Sequence, residues 1–270
     1  MRRVGGLFTE IIAFPNRIGK GTHRALDRAT AFCRRSRYVL KCDVEKFFPS
    51  VDHEVLFDLL ARKIKCSDAL DLLCVIIEAS APQEPITRYF PGDDLFAPYA
   101  RRRGIPIGNL TSQIFGNIML DPLDHFLKEE KRRRQYLRYA DDLLVFGSNK
   151  AELHSLLQQM RDFLYLYRLR LQPRKCIVMR VQDGVPFLGW RIYSDHRRLR
   201  RCTGVRFQRG LRRLTGAYAR GEVGRDGVKA SIASWIGHLK HGDTFGLRRK
   251  LLRSAVFRAS NPEAVEGIVP

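Results

Sequence analysis

The chain has 270 residues, 44% of them hydrophobic, enough to bury a substantial core as one unit with subdomains. Its net charge of +21 and sequence pI near 10.3 favour a polyanionic partner. No apolar run reaches the roughly 18 residues of a membrane span, and the six cysteines (33, 42, 66, 74, 176 and 202) show neither a CxxC pair nor zinc spacing.

Those cysteines read as reduced residues of a cytosolic protein, and Met1 to Phe8 lacks the apolar core of a signal peptide. Residues 1–36 are basic, with a helix expected from Thr22 to Arg34. Residues 38–42 form a short apolar strand ending near Asp43. Pro49 and Ser50 break the chain, and Val55, Leu56, Leu59, Leu60 and Ile64 then recur at helical spacing. Residues 81–103 are loop-rich, with four prolines. Thr111 or Ser112 is expected to cap a helix burying Ile114, Phe115, Ile118 and Met119, which Asp121-Pro122 ends or restarts. Leu153, Leu156, Leu157, Met160, Phe163 and Leu164 mark an amphipathic helix. Strands are expected at 177–181 and 187–192, and the remainder reads as helical. Residues 191–258 hold 18 Lys/Arg against 4 Asp/Glu, an imbalance better explained by phosphate contact than by a solvated face.

The chemistry concentrates in Tyr139-Ala140-Asp141-Asp142, which lies between Tyr136-Leu137 and the apolar run Leu143 to Phe146. This pattern reads as a β-hairpin tipped by two carboxylates. Asp-Asp alone is a common turn dipeptide, and Asp43 alone reads as a solvated strand-end acid. Together the three acids are the oxygen donors needed to hold two Mg²⁺ ions about 3.5–4 Å apart for phosphoryl transfer. The element order suits an α+β fold, an antiparallel sheet with helices on one face. A basic helical segment is expected from about residue 196.

Asp43 to Phe48 resembles the first catalytic motif of reverse transcriptases, and Tyr139 to Asp142 resembles their YxDD box. Gly104 to Gln113 resembles the motif that flanks the nascent base pair. With Ile107-Gly108 and Ser112-Gln113, it is similar to the variant found in reverse transcriptases of diversity-generating retroelements, which recopy a template RNA with errors at adenines. Gly19 to Leu26 and Trp235 to His241 are similar to further segments of that subfamily. The ordered set spans about residues 7–258.

The resemblance implies a right-hand polymerase. Residues 1–36 would be a residual fingers segment and 37–195 a palm, with a fingers-proximal loop region at about 80–108. Residues 196–270 would be the thumb. It implies that Asp43, Val44, Asp141 and Asp142 hold two Mg²⁺, for which Mn²⁺ can substitute, and that Lys175 protonates leaving pyrophosphate. A solvated loop lysine is the competing reading. Phe48 would clash with a 2′-hydroxyl and select deoxynucleotides, against plain core packing beside Phe47. Phe47, Ile107, Gly108 and Gln113 complete the nucleotide site, and an apolar Ile107 where relatives hold Gln suggests lower fidelity. Gly189 and Trp190 would support the primer end, although Trp190 equally suits a core. Lys20, His23, Arg24, Trp235, His238, Lys240 and His241 are the remaining candidates for nucleic-acid contact. The implied partners are template RNA, the primer or cDNA strand, dNTPs and a small basic accessory protein, with no membrane. The setting would be the cytoplasm of a prokaryote, or a phage-encoded protein there. Relatives carry a longer fingers segment before Gly19, so a fragment, a misplaced start or a degenerate chain is weighed. Two other readings stand beside the error-prone polymerase: a non-catalytic RNA-binding remnant, and a group II intron or retron-type enzyme.

Overall fold

The computed structural model describes residues 21–79, 88–253 and 255–258. The chain divides into two units, Met1–Val181 and Gln182–Pro270, and each combines an antiparallel sheet with α-helices. Among the described residues no helix is long and apolar enough to cross a membrane.

The first unit is built on a four-stranded sheet with order β2-β3-β1-β4. Strand β1 (Tyr38–Asp43) lies between β3 (Asp142–Gly147) and β4 (Ile177–Arg180), and β2 (Tyr136–Tyr139) extends the β3 edge. Burial explains the order: Val39, Leu40 and Cys42 of β1 and Leu143, Leu144 and Val145 of β3 are fully buried, as interior strands require. Helix α1 (Thr22–Cys33) buries Ala25, Leu26, Ala29, Phe32 and Cys33, an apolar stripe at helical spacing. After the short turn α2 (Phe47–Ser50), α3 (His53–Lys63) starts where the Asp52 carboxylate accepts from the Val55 N–H. Helix α4 (Ser67–Glu78) follows, and the described part of the loop-rich region, 88–103, holds only the one-turn α5 (Ala97–Ala100). Helix α7 (Lys150–Tyr165), capped by Asn149, buries the expected leucines and Met160, while Phe163 is half-buried and stacks on Phe126.

Helix α6 (Leu110–His125) differs from expectation in three ways. Asn109, not Thr111 or Ser112, is the N-cap residue, because Gly108 turns the chain at a φ of 103° and the helix begins at once. Ile114 is exposed, whereas Phe115, Ile118 and Met119 are buried. Pro122 sits inside the helix, and burial of its neighbours Leu120, Asp121, Leu123 and Asp124 outweighs the backbone bond it forfeits. A π-helical turn, Phe126–Glu130, continues the helix.

In the second unit, residues 187–192 are not one strand. β5 (Val185–Phe187) and β6 (Trp190–Ile192) form a hairpin whose two turn residues, Leu188 and Gly189, have φ of 46° and 83°. Positive φ at both positions matches the twist of paired strands, which is why a glycine stands there. β7 (Arg197–Leu199) completes the sheet, followed by α8 (Arg201–Ala219), α9 (Arg225–Leu239) and α10 (Phe245–Arg253).

Candidate active site

Asp43 is the last residue of β1 and Asp142 the first of β3, and the two are register partners across the antiparallel pair. Tyr139 pairs with Asp142, so Ala140 and Asp141 alone make the hairpin turn. Three carboxylates are thereby gathered at one end of the sheet. Ala140 takes a φ of 54°, a left-handed conformation that costs an alanine about 1–2 kcal/mol and that the surroundings must hold in place.

The electrostatics show a cluster short of positive charge. Burial pushes the Asp141 carboxyl up, and the charges of Asp43 and Asp142 push the same way against a backbone hydrogen bond and Lys175. Two lysines partly answer this. Lys175, in the 3₁₀ turn Pro173–Lys175 before β4, places Nζ 2.9 Å from Asp43 Oδ1 and 3.0 Å from Oδ2. Hydrogen bonding to Asp43 holds its ammonium above the usual lysine range. Lys41 Nζ lies 3.2 Å from Asp142 Oδ1. The donor set is therefore hard oxygen and anionic, as Mg²⁺ requires. Even so, among the described residues no three His, Cys, Asp or Glu side chains close around one point. The residues fit the ions by charge and donor type, with ammonium groups on the carboxylate oxygens.

The chain around Asp43 is anchored on its other side. Gln172 N–H donates to the Asp43 carbonyl at 2.8 Å, Val44 bridges to Leu171, and Glu45 N–H donates to the Arg170 carbonyl at 2.8 Å. The Val44 side chain is buried, leaving only its backbone for a role at the acids. The Cys42 and Cys176 thiols interact by hydrogen bonding. This is the main cause lowering the Cys176 thiol, to about 7, and raising that of Cys42.

Phe47 and Phe48 part company. Phe47 is buried and lies against α6 at Gly116, where an added Cβ would come 3.0 Å from the Phe47 ring. Phe47 therefore packs in the core beside α6. Phe48 is half-buried, with its ring centroid 5.4 Å from that of Phe47. Ile107 is 63% exposed, and Gly108 and half-buried Gln113 lie with it at the start of α6. His23 and Arg24 are on the exposed face of α1, whose Thr22 hydroxyl lies 3.1 Å from that of Tyr139. Lys20 lies outside the described residues.

In the second unit Trp190 is 0% exposed, with a Cβ at Gly242 excluded by the indole and His238 5.5 Å away. It is interior to that unit, in keeping with the core reading weighed beside primer support. Gly189 offers its carbonyl to Arg200 N–H and the Thr203 hydroxyl. Trp235 is half-buried and stacked on Phe207. His238 is lowered by burial and then by His241, Lys240 is exposed, and the His241 carbonyl accepts from Arg197.

Sequence reasoning missed three features. Arg201, Arg206, Arg209, Arg212 and Arg213 of α8 surround an open cavity of about 940 Å³, a cluster that the basic excess of residues 191–258 pointed to without naming; Arg206, Arg209 and Arg213 recur at i, i+3 and i+7. Arg88 bonds both Glu45 and Ser50, on either side of the two phenylalanines. Arg138 is buried beneath the acid turn. A cavity of about 500 Å³ lined by Asp52, His53, Phe57, Ile77 and Arg168 includes none of Asp43, Asp141, Asp142, Lys41 or Lys175.

A model of the reverse transcriptase (RNA-dependent DNA polymerase) family matches residues 14–192, the span that holds all three acids and Lys175. The chain belongs to the reverse transcriptase family. Among curated relatives of this reverse transcriptase domain, protein YkfC of Escherichia coli is 26% identical, over 61% of this chain and 49% of YkfC. The retrovirus-related Pol polyprotein from the type-2 retrotransposable element R2DM of Drosophila melanogaster is also 26% identical, over 55% of this chain and 14% of that protein. The chain thus spans about half the length of YkfC and a small part of the polyprotein. Apo telomerase from Candida tropicalis, truncated from its C-terminal domain, superposes with a TM-score of 0.50 at 16% identity, covering 67% of this chain and 40% of that one; this likeness concerns the fold.

Proposed function

We propose that this chain copies a template RNA into cDNA, with errors at adenines as in diversity-generating retroelements. The observation that carries the polymerase reading is the Asp43–Asp142 register pair with Asp141 at the adjoining turn. The first unit then acts as a palm and the basic helices of the second as a thumb. Template RNA, a primer, dNTPs and a small basic accessory protein are the partners.

In this reading the primer 3′-hydroxyl attacks the α-phosphate of a dNTP and pyrophosphate leaves. Bound divalent ions supply charge neutralisation at the attacking and leaving oxygens. Asp43, Asp141 and Asp142 hold that charge at the end of the sheet. Lys175, tethered to Asp43, is within the same cluster and donates a proton to the departing pyrophosphate. Phe48, the less buried of the two phenylalanines, borders the sugar. The α8 arginines follow phosphates of the bound duplex, supplying affinity without sequence preference. Ile107 brings an apolar surface to the new base pair where a hydrogen-bonding side chain would discriminate more strongly.

One observation favours a second reading. The α8 arginines would hold RNA phosphates whether or not the chain turns over, as in an RNA-binding protein that has lost catalysis. Sequencing cDNA made from a defined RNA template separates the readings. Errors concentrated opposite adenines support the retroelement type, uniform accuracy sinks it, and tight RNA binding without cDNA supports the binding protein.

A further inference from the structure

Arg138 and Asp124 are both 1% exposed, and a buried ion pair at that depth needs a reason. Such pairs stabilise a fold no more, and often less, than apolar residues of the same size would. Their usual value is geometric. Here the geometry leads to the acids.

Arg138 is the third residue of β2, and Tyr136 two residues earlier shares its face. Both reach Asp124 near the end of α6. The Tyr136 hydroxyl donates at 2.7 Å, and Arg138 Nε donates at 2.9 Å with Nη2 donating alongside. That fork leaves Nη1 aimed elsewhere. It donates at 3.1 Å to Asn117 Oδ1, two turns earlier on α6, and at 3.3 Å to the carbonyl of Ala140. Ala140 is the turn residue held at positive φ, and Asp141 follows it directly. Neither a lysine nor an apolar residue could span these three acceptors, because only the guanidinium presents donors in a rigid planar fork.

We propose that Arg138 is a positioning residue that sets the acid-bearing turn. Asp124 fixes the guanidinium, Asn117 aims its outer nitrogen, and the Ala140 carbonyl transmits that placement to Asp141. The network also ties the turn to α6, whose first residues follow Ile107 and Gly108, so the helix beside the template and the turn beside the acids move as one piece. This assignment rests on the polymerase reading for its purpose, but not for its geometry.

The test uses the full chain with Arg138→Lys, which keeps a cation on Asp124 but cannot also reach Asn117 and Ala140. Asn117→Ala is the second variant; it leaves the ion pair whole and serves if Arg138→Lys does not fold. Hydrogen exchange of the peptide covering residues 139–143 is expected to accelerate about 10-fold in either variant, with the β4 peptide unchanged. Turnover should fall on the order of 10–100-fold while the dNTP KM stays within about threefold, as for other residues that orient metal ligands. Exchange at the turn equal to the parent's, or rising equally across the whole sheet, would overturn the proposal. A parent without polymerase activity whose turn still loosens selectively in Arg138→Lys would uphold the positioning role and reject the polymerase reading.

Discussion

Asp43 and Lys175 form a two-oxygen contact at the end of the central strand, with Nζ at 2.9 and 3.0 Å from the two carboxylate oxygens. Lys175 is 58% exposed, so solvent screening leaves this pair worth about 1 kcal/mol of stability or less. Asp43→Asn is therefore expected to leave Tm within a few degrees of the parent while abolishing nucleotide transfer. Thermal melting and primer extension on the same preparation check both halves.

Lys175→Gln separates proton donation from charge balance. The expected loss in turnover is on the order of 100-fold, with dNTP affinity little changed, since general acids contribute at that scale. Pre-steady-state kinetics with dNTPs read it directly. An unchanged rate would return Lys175 to a solvated loop lysine.

Phe47 and Phe48 are adjacent in sequence but differ in consequence. Phe47→Ala opens a cavity against α6 and should cost about 3–5 kcal/mol in urea unfolding. Phe48→Val should leave stability closer to the parent and raise incorporation of ribonucleotides. Competition between rNTPs and dNTPs measures the second effect.

The α8 arginines make a salt prediction. Replacing Arg206, Arg209 or Arg213 with Ala should weaken binding uniformly across RNA–DNA duplexes and lower the slope of log K against log salt by about 1 for each phosphate no longer neutralised. A slope equal to the parent's for all three would move the nucleic-acid surface elsewhere.

Acid stability follows from Asp93. Arg101, by hydrogen bonding, holds this carboxyl below the usual aspartate range against the effect of burial, helped by the Phe90 N–H. Its contribution is thus complete above the unfolded value near pH 3.9 and is lost as pH falls through the lower folded value. Asp93→Asn should lower stability at pH 7 by about 1–3 kcal/mol, and the gap to the parent should close as pH drops below about 4. Urea titrations at the two pH values give the comparison.

The site was legible where local pattern and chemistry agree. Short apolar runs on either side of Asp141-Asp142, and a mostly apolar strand ending in Asp43, are short-range signals that place each acid at the end of a strand. Arg138 was illegible because nothing in its own segment says that a charged strand residue will be buried; its partner lies on another element. Trp190 stood between primer support and core because its burial depends on Gly242, far along the chain. Pro122 looked like a helix end because the packing that keeps the helix intact is tertiary. The two phenylalanines could be told apart only by Gly116.

The central claim is that Asp43, Asp141 and Asp142 form a metal-dependent nucleotidyl-transfer site. The most direct measurement is Mg²⁺-dependent primer extension on an RNA template by the parent and by Asp141→Ala, with RNA affinity measured in parallel. Extension by the parent, a loss on the order of 1,000-fold or more in the variant, and equal RNA affinity are expected. Extension by Asp141→Ala at the parent's rate would contradict the claim.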